Sequence, residues 1–96
     1  MSAYLITRID VHDHEAYKKY TEQSPQTLSN FGGQFIVRGG PVQTLEGPPE
    51  HRRIVVIKFS NREAAETFYQ SPEYQELIKL RHQSTTSELI IVDGID

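Results

Sequence analysis

The 96-residue chain has no cysteine, no tryptophan and a single methionine. Without cysteine there are no disulfides, no thiolate nucleophiles and no zinc–thiolate sites. An excess of positive charge is also missing: ten Lys and Arg stand against thirteen Asp and Glu, for a net charge of −3. A phosphate backbone is held by clustered basic side chains, so a nucleic-acid partner is not expected. No apolar run approaches the roughly twenty residues that a helix needs to cross a bilayer, and no membrane partner is expected either. Residues 3–11 read as a strand rather than as a basic stretch followed by an apolar run. No secretory signal is therefore expected, and the cytoplasm is the expected setting. A chain of this length suits one domain, spanning residues 1–96, with one core in two layers.

What is present alternates. Gly32-Gly33 and Gly39-Gly40 bracket Gln34–Arg38, a run that puts Phe35 and Val37 on one face and Gln34, Ile36 and Arg38 on the other. Ala3–Val11 divides likewise into Leu5, Thr7, Ile9 and Val11 against Tyr4, Ile6, Arg8 and Asp10. The strand from Arg52 or Arg53 to Phe59 is apolar on both faces, with Val55, Ile57 and Phe59 opposed to Ile54, Val56 and Lys58, which predicts that both faces are covered. Glu88–Asp93 reads as the last strand.

Helical segments fall between these strands. Asp13 is a good N-cap, and Tyr17, Tyr20, Ser24, Leu28 and Phe31 then form a stripe at spacings of three and four. Ser24-Pro25 is expected to kink this helix or to divide it. A second helix starts at Ser60, which has capping-box spacing to Glu63, or at Asn61. Ser71-Pro72 restarts a third, with Tyr74, Leu77, Ile78 and Arg81 sharing a side. Val42–Glu46 reads as a short extended arm, Gly47–Glu50 as a loop, and Gln83–Ser87 as a polar loop. The order βαββαβ, with an extra helix before the last strand, and right-handed crossovers predict a ferredoxin-like α+β layer: a four-stranded antiparallel sheet with its helices on one side.

That arrangement leaves Tyr4, Ile6, Ile36, Ile54 and Val56 on a face without helices. A second copy packed sheet to sheet removes the exposed patch, so a homodimer is expected, with the 42–46 arm well placed to pair with the partner's sheet edge. The alternative is a monomer with a wet sheet face.

Several motifs then occur in a characteristic order: Asp13–Tyr20 with its paired tyrosines, Gly32-Gly33, Arg38-Gly39-Gly40, Leu45-Glu46-Gly47, Arg53–Phe59, Ser71-Pro72-Glu73-Tyr74 and Arg81. In these the chain resembles the domain-of-unknown-function 1330 family over nearly its whole length. The resemblance implies the dimeric α/β-barrel superfamily, two ferredoxin-like sheets packed into a barrel. It brings no established reaction. More distant barrel relatives include cofactor-independent monooxygenases, small isomerases, dehydratases and haem proteins, and kinship at the level of fold assigns no chemistry.

Arg8, Arg38 and Lys58 are expected to point into the barrel. Arg8, Asp10 and Lys58 are placed together on the assumption that the first and third strands run parallel, with Arg38 toward the opposite end, near Tyr4 or Ile54. These cations suit a small anionic or carbonyl ligand, Arg38 best of all, because a guanidinium offers a fork to a carboxylate. They equally suit a paired network, with Asp10 neutralising Arg8 and Lys58, and with Arg38 bound to Glu46 or to an acid of the partner. Tyr17, Tyr20, Tyr69 and Tyr74 are candidate hydroxyl donors, the first two also fitting a core role and the last two flanking the break at Ser71-Pro72. Arg81 either reaches the cavity or caps a helix end. His12 and His14 are two ligands without a third, and no metal is expected. His51 follows the proline-rich loop, where it suits a mobile general base; His82 reads as solvent-facing. Three functions stay open: an enzyme without a bound organic cofactor acting on a small carbonyl or carboxylate compound, a non-catalytic ligand-binding module, and a structural dimer with paired interior charges.

Overall fold

The computed structural model describes residues 1–96. Its elements are β1 (Ala3–Val11), α1 (His14–Asn30), β2 (Gln34–Arg38), β3 (Arg53–Phe59), α2 (Arg62–Gln70), α3 (Pro72–Ser84) and β4 (Thr85–Asp93). The four strands form one sheet in the order β2-β3-β1-β4, with every neighbouring pair antiparallel. The expected ferredoxin-like arrangement is therefore present, with the sheet open. Each helix starts on a side chain that takes up a backbone N–H left over at the terminus. Asp13 Oδ1 accepts from Ala16 N, Asn61 Oδ1 from Ala64 N, and Ser71 Oγ from Tyr74 N. The second helix is thus capped by Asn61 rather than Ser60.

All three helices cover one side of the sheet. Leu5, Ile9, Val55, Ile57 and Phe59 come from the strands and meet Tyr17, Leu28, Ala65, Phe68, Tyr74, Leu77 and Ile78 from the helices. Phe68 is the hub. Its ring lies 4.3 Å from that of Tyr74, 5.5 Å from Phe59 and 6.0 Å from Phe31.

Four expectations are corrected. Pro25 does not divide α1, which runs unbroken from His14 to Asn30. Gln83–Ser87 is not a loop: α3 continues to Ser84, and β4 begins at the next residue. The hydroxyls there serve the helix end and the strand at once. Ser84 Oγ donates to Leu80 O and Thr85 Oγ1 to Arg81 O, while Thr85 pairs with Val11 across the ladder.

The third correction concerns strand direction. Because β1 and β3 are antiparallel, Arg8 lies opposite Ile54, and Tyr4 lies opposite Lys58. Arg8 and Lys58 are thus four strand positions apart, about 13 Å, and do not form one cluster. The fourth concerns Arg38. Phe35 is opposite Ile57, but Val37 is opposite Val56 and Arg38 opposite Val55, so the register shifts across Ile36. A bulge of this kind places two residues against one and reverses the parity of everything after it. Ile36 and Val37 both face outward, 51% and 39% exposed, and Arg38 turns from the open face to the helical one.

Candidate functional site

The bulge delivers Arg38 to α1. Pro25 has no N–H to give to Thr21 O, so that carbonyl is left without its helical partner. Arg38 Nη2 donates to it at 3.1 Å, and the guanidinium carbon lies 4.5 Å from the centre of the Phe35 ring. Two local irregularities, one in a helix and one in a strand, therefore meet in a single hydrogen bond.

A second guanidinium arrives from β3. Arg53 shares its face with Val55 and Ile57 and stands 5.8 Å from the centre of the Tyr17 ring. It lies across Gly39, whose φ is +73° and where a Cβ would collide with the guanidinium. Glycine is needed there for both reasons. Arg81, in the last turn of α3, is a third guanidinium on this side and is 2% exposed. Ion pairs elsewhere join Arg8 to Glu50, Arg52 to Glu50 and Glu88, Arg62 to Asp93 and Lys79 to Glu76, and none involves Arg38, Arg53 or Arg81. The Nε atoms of Arg53 and Arg81 are buried without a hydrogen-bond partner.

Arg38 and Arg53 border neighbouring spaces, whereas Arg81 lines neither. A narrow slot of about 30 Å³ lies between α1 and the β2–β3 edge, lined by Tyr17, Tyr20, Ser24, Phe35, Arg38 and Arg53 among others. A wider cleft of about 590 Å³ opens beside it, where the ends of β1 and β2 meet the start of β3. Ile9, Tyr17 and Arg53 line both. The cleft adds Asp10, His14, Glu50 and His51. Its size falls in the ordinary range for small-molecule sites, whereas the slot holds no more than a water or two.

Burial pushes the Tyr17 hydroxyl above its usual range against the opposing pull of Arg53, Arg38 and Arg81. Tyr20 is pushed up further, first by burial and then by Tyr74, whose hydroxyl lies 2.6 Å from its own. Both tyrosines are thus neutral hydrogen-bond donors near pH 7. Glu50, at the cleft's outer rim, is held down at about 2, chiefly by its hydrogen bonds with Arg52.

Of the residues singled out from sequence, Arg38 reaches the slot, on the opposite side of the sheet from the one expected. Arg8 is tied to Glu50 at 3.6 Å on the open face, and Asp10 neutralises neither Arg8 nor Lys58. Lys58 stands opposite Tyr4 and Gln34. Tyr74 is buried in the core and Tyr69 packs against it at 5.8 Å; neither lines slot or cleft. Arg81 donates no hydrogen bond to a helix-end carbonyl; its own carbonyl accepts from Thr85. His14 and His51 share the cleft, while His12 bonds Thr86 instead. No three His, Asp or Glu side chains are grouped to hold a metal ion. Arg53 was not singled out, although its parity with Val55, Ile57 and Phe59 places it on this face.

The chain's residues 2–95 match the sequence model of the domain of unknown function DUF1330. No functionally curated protein matches it. Among solved structures, a protein of unknown function from Rhodopseudomonas palustris is 20% identical with a TM-score of 0.81, the match covering 99% of this chain and 83% of that one. SnoaB from Streptomyces nogalater, a cofactor-independent oxygenase, is 10% identical with a TM-score of 0.71, over 99% of this chain and 94% of that one. A dimeric ferredoxin-like protein of unknown function from a Jannaschia species is 12% identical with a TM-score of 0.68, over 98% of this chain and the whole of the other. At these identities the likeness is one of fold.

Proposed function

The chain belongs to the DUF1330 family, and from that premise we propose that it is a cytoplasmic homodimer that binds a small carboxylate or carbonyl compound in the cleft beside Tyr17 and Arg53. One observation carries this reading. Arg53 lines both the cleft and the neighbouring slot, Arg38 lines the slot, neither has a carboxylate in ion-pairing reach, and a guanidinium fork matches a carboxylate or a polarised carbonyl oxygen. Dimerisation is supported by the apolar open face, with Ile36 and Ile90 about half exposed, and by the dimeric ferredoxin-like protein of the same fold.

The chemistry the cleft supports is proton transfer at a carbon beside a carbonyl. Arg53 and the Tyr17 hydroxyl hold the carbonyl oxygen and the negative charge that develops on it, and His14, His51 or Asp10 takes the proton. This requires no bound organic cofactor, as in SnoaB, which is described as cofactor-independent. The non-catalytic reading keeps the same ligand and omits the proton transfer.

A thermal-shift screen of small organic acids and carbonyl compounds tests binding, since a ligand held only by the native state raises Tm. Arg53→Ala is expected to abolish the shift and to retain the far-ultraviolet circular dichroism of the fold. Incorporation of solvent deuterium into a bound carbonyl compound separates the enzyme from the binding module. If no compound shifts Tm, or if Arg53→Ala leaves the shift intact, the proposal fails.

A further inference from the structure

The open sheet has two outer strands, and their edges differ. The β2 edge is five residues long, is interrupted by the bulge at Ile36 and ends in a charged side chain, all of which blunt pairing with another chain. The β4 edge is nine residues long, contains no proline, lysine or arginine, and follows β1 from Thr85 to Asp93 without a register shift. Every second residue of β4 therefore directs its N–H and C=O away from β1, to no partner in the chain. Natural sheets cover an edge of this kind.

The segment between β2 and β3 has the complementary shortage. Residues 41–49 are all exposed and lie in no helix or strand, and no backbone group from 40 to 49 has a backbone partner. Val42 is 45% and Leu45 84% exposed. Glycines of positive φ stand at both ends, Gly39 at +73° and Gly47 at +90°. Thr44 Oγ1 accepts from Glu50 N at 2.9 Å, which ties the outgoing limb to the returning one. The returning limb is fixed over the open face: Glu50 pairs with Arg8 and Arg52 with Glu88, and Arg8 and Glu88 stand opposite each other on β1 and β4. The segment thus leaves the domain on the side that the second subunit covers in the homodimer proposed above, on which this inference rests.

We infer that residues 42–46 of each protomer add as a strand to the β4 edge of the other. The addition gives both sets of backbone groups the partners they lack and takes Leu45 out of water. Val42 and Thr44 favour extended backbone, and Pro41, with no N–H to donate, stands just before the paired stretch. Five residues span about 17 Å and nine about 30 Å, so β4 has room for the whole segment. A two-fold axis makes the exchange reciprocal, so both long edges are covered and no third copy is recruited.

The test is residue-resolved amide hydrogen exchange of the intact protein, with the dimer dissociation constant measured by analytical ultracentrifugation. In the dimer, the β4 amides that face away from β1 are expected to be protected along with those that face it. Replacement of residues 42–46 by glycine and serine is expected to raise the dissociation constant about a hundredfold, because two copies of Leu45 are lost from the interface. At a concentration where this variant is still dimeric, its outward-facing β4 amides should exchange at least tenfold faster, while those bonded to β1 are unchanged and report an intact fold. If the replacement does not fold, Leu45→Asp takes its place, with a rise of about tenfold expected and the same amides affected. Free exchange of the outward-facing amides in the unaltered dimer overturns the inference and leaves the homodimer standing. Protection that survives the change, or an unaltered dissociation constant, does the same. A chain that is monomeric at every concentration removes the homodimer as well.

Discussion

The two faces of the sheet handle charge in opposite ways. On the open face and its rims, the arginines have acidic partners, while Lys58 has no ion pair: Arg8 and Arg52 share Glu50, Arg52 also reaches Glu88, and Arg62 holds Asp93 through two hydrogen bonds. On the helical face, Arg38, Arg53 and Arg81 sit among tyrosines and phenylalanines without one carboxylate partner. Neutralised charge beside exposed Ile36, Val37, Ile90 and Val92 suits a surface that another subunit covers, because charges buried there are already compensated. Uncompensated charge beside a cleft suits a surface that waits for an anion. On the proposed reading, the difference separates an assembly face from a binding face within one thin layer.

The largest test removes the hub that keeps the helical face together. Phe68→Ala leaves a cavity among Phe31, Phe59 and Tyr74 and is expected to cost about 3–5 kcal/mol, read as a lowered denaturation midpoint. Val56→Asp addresses the other face. Its side chain points outward from β3, so the dimer is expected to dissociate in analytical ultracentrifugation while the fold and ligand binding persist. A variant that remains dimeric would show that the open face is not the assembly face.

Pro25→Ala has a smaller effect, of the opposite sign. It returns an N–H to Thr21 O and is expected to stabilise the protein by about 1–3 kcal/mol while displacing Arg38. Combined with Arg38→Ala in a double-mutant cycle, the two changes should be non-additive, and additivity would dissolve the link between the proline and the guanidinium. The smallest effect concerns the Glu50 clasp. Its carboxyl is held at about 2 against an ordinary 4.5, so its contribution is complete above about pH 4.5 and disappears as pH falls toward 2. The stabilities of the parent and of Glu50→Gln, followed by urea unfolding, should therefore differ at pH 7 and converge in acid.

Most of the fold was legible because alternation and capping residues mark strands and helices directly. Arg53 was legible too, since a residue two before Val55 must share its face. Arg38 was not. Phe35, Ile36 and Val37 are all apolar, so nothing in the pattern reveals which of them is the extra residue, and a single insertion reverses the side on which the arginine falls. The continuity of α1 through Pro25 was hidden for a related reason. The group that takes up the released carbonyl lies 17 residues further along the chain, beyond the reach of local propensity. Ser84 and Thr85 misled because hydroxyls that suit a loop serve a helix end equally well.

The mooring of Arg38 to a backbone carbonyl has a consequence for behaviour in concentrated electrolyte. A guanidinium held by a neutral oxygen keeps its position when dissolved ions screen charge–charge attraction, whereas the Arg8–Glu50–Arg52 clasp slackens. Raising ionic strength should thus loosen the rim of the cleft first and leave Arg38, beside the slot, in place. For the proposed anion, brine would weaken the attraction without moving Arg38 from its carbonyl.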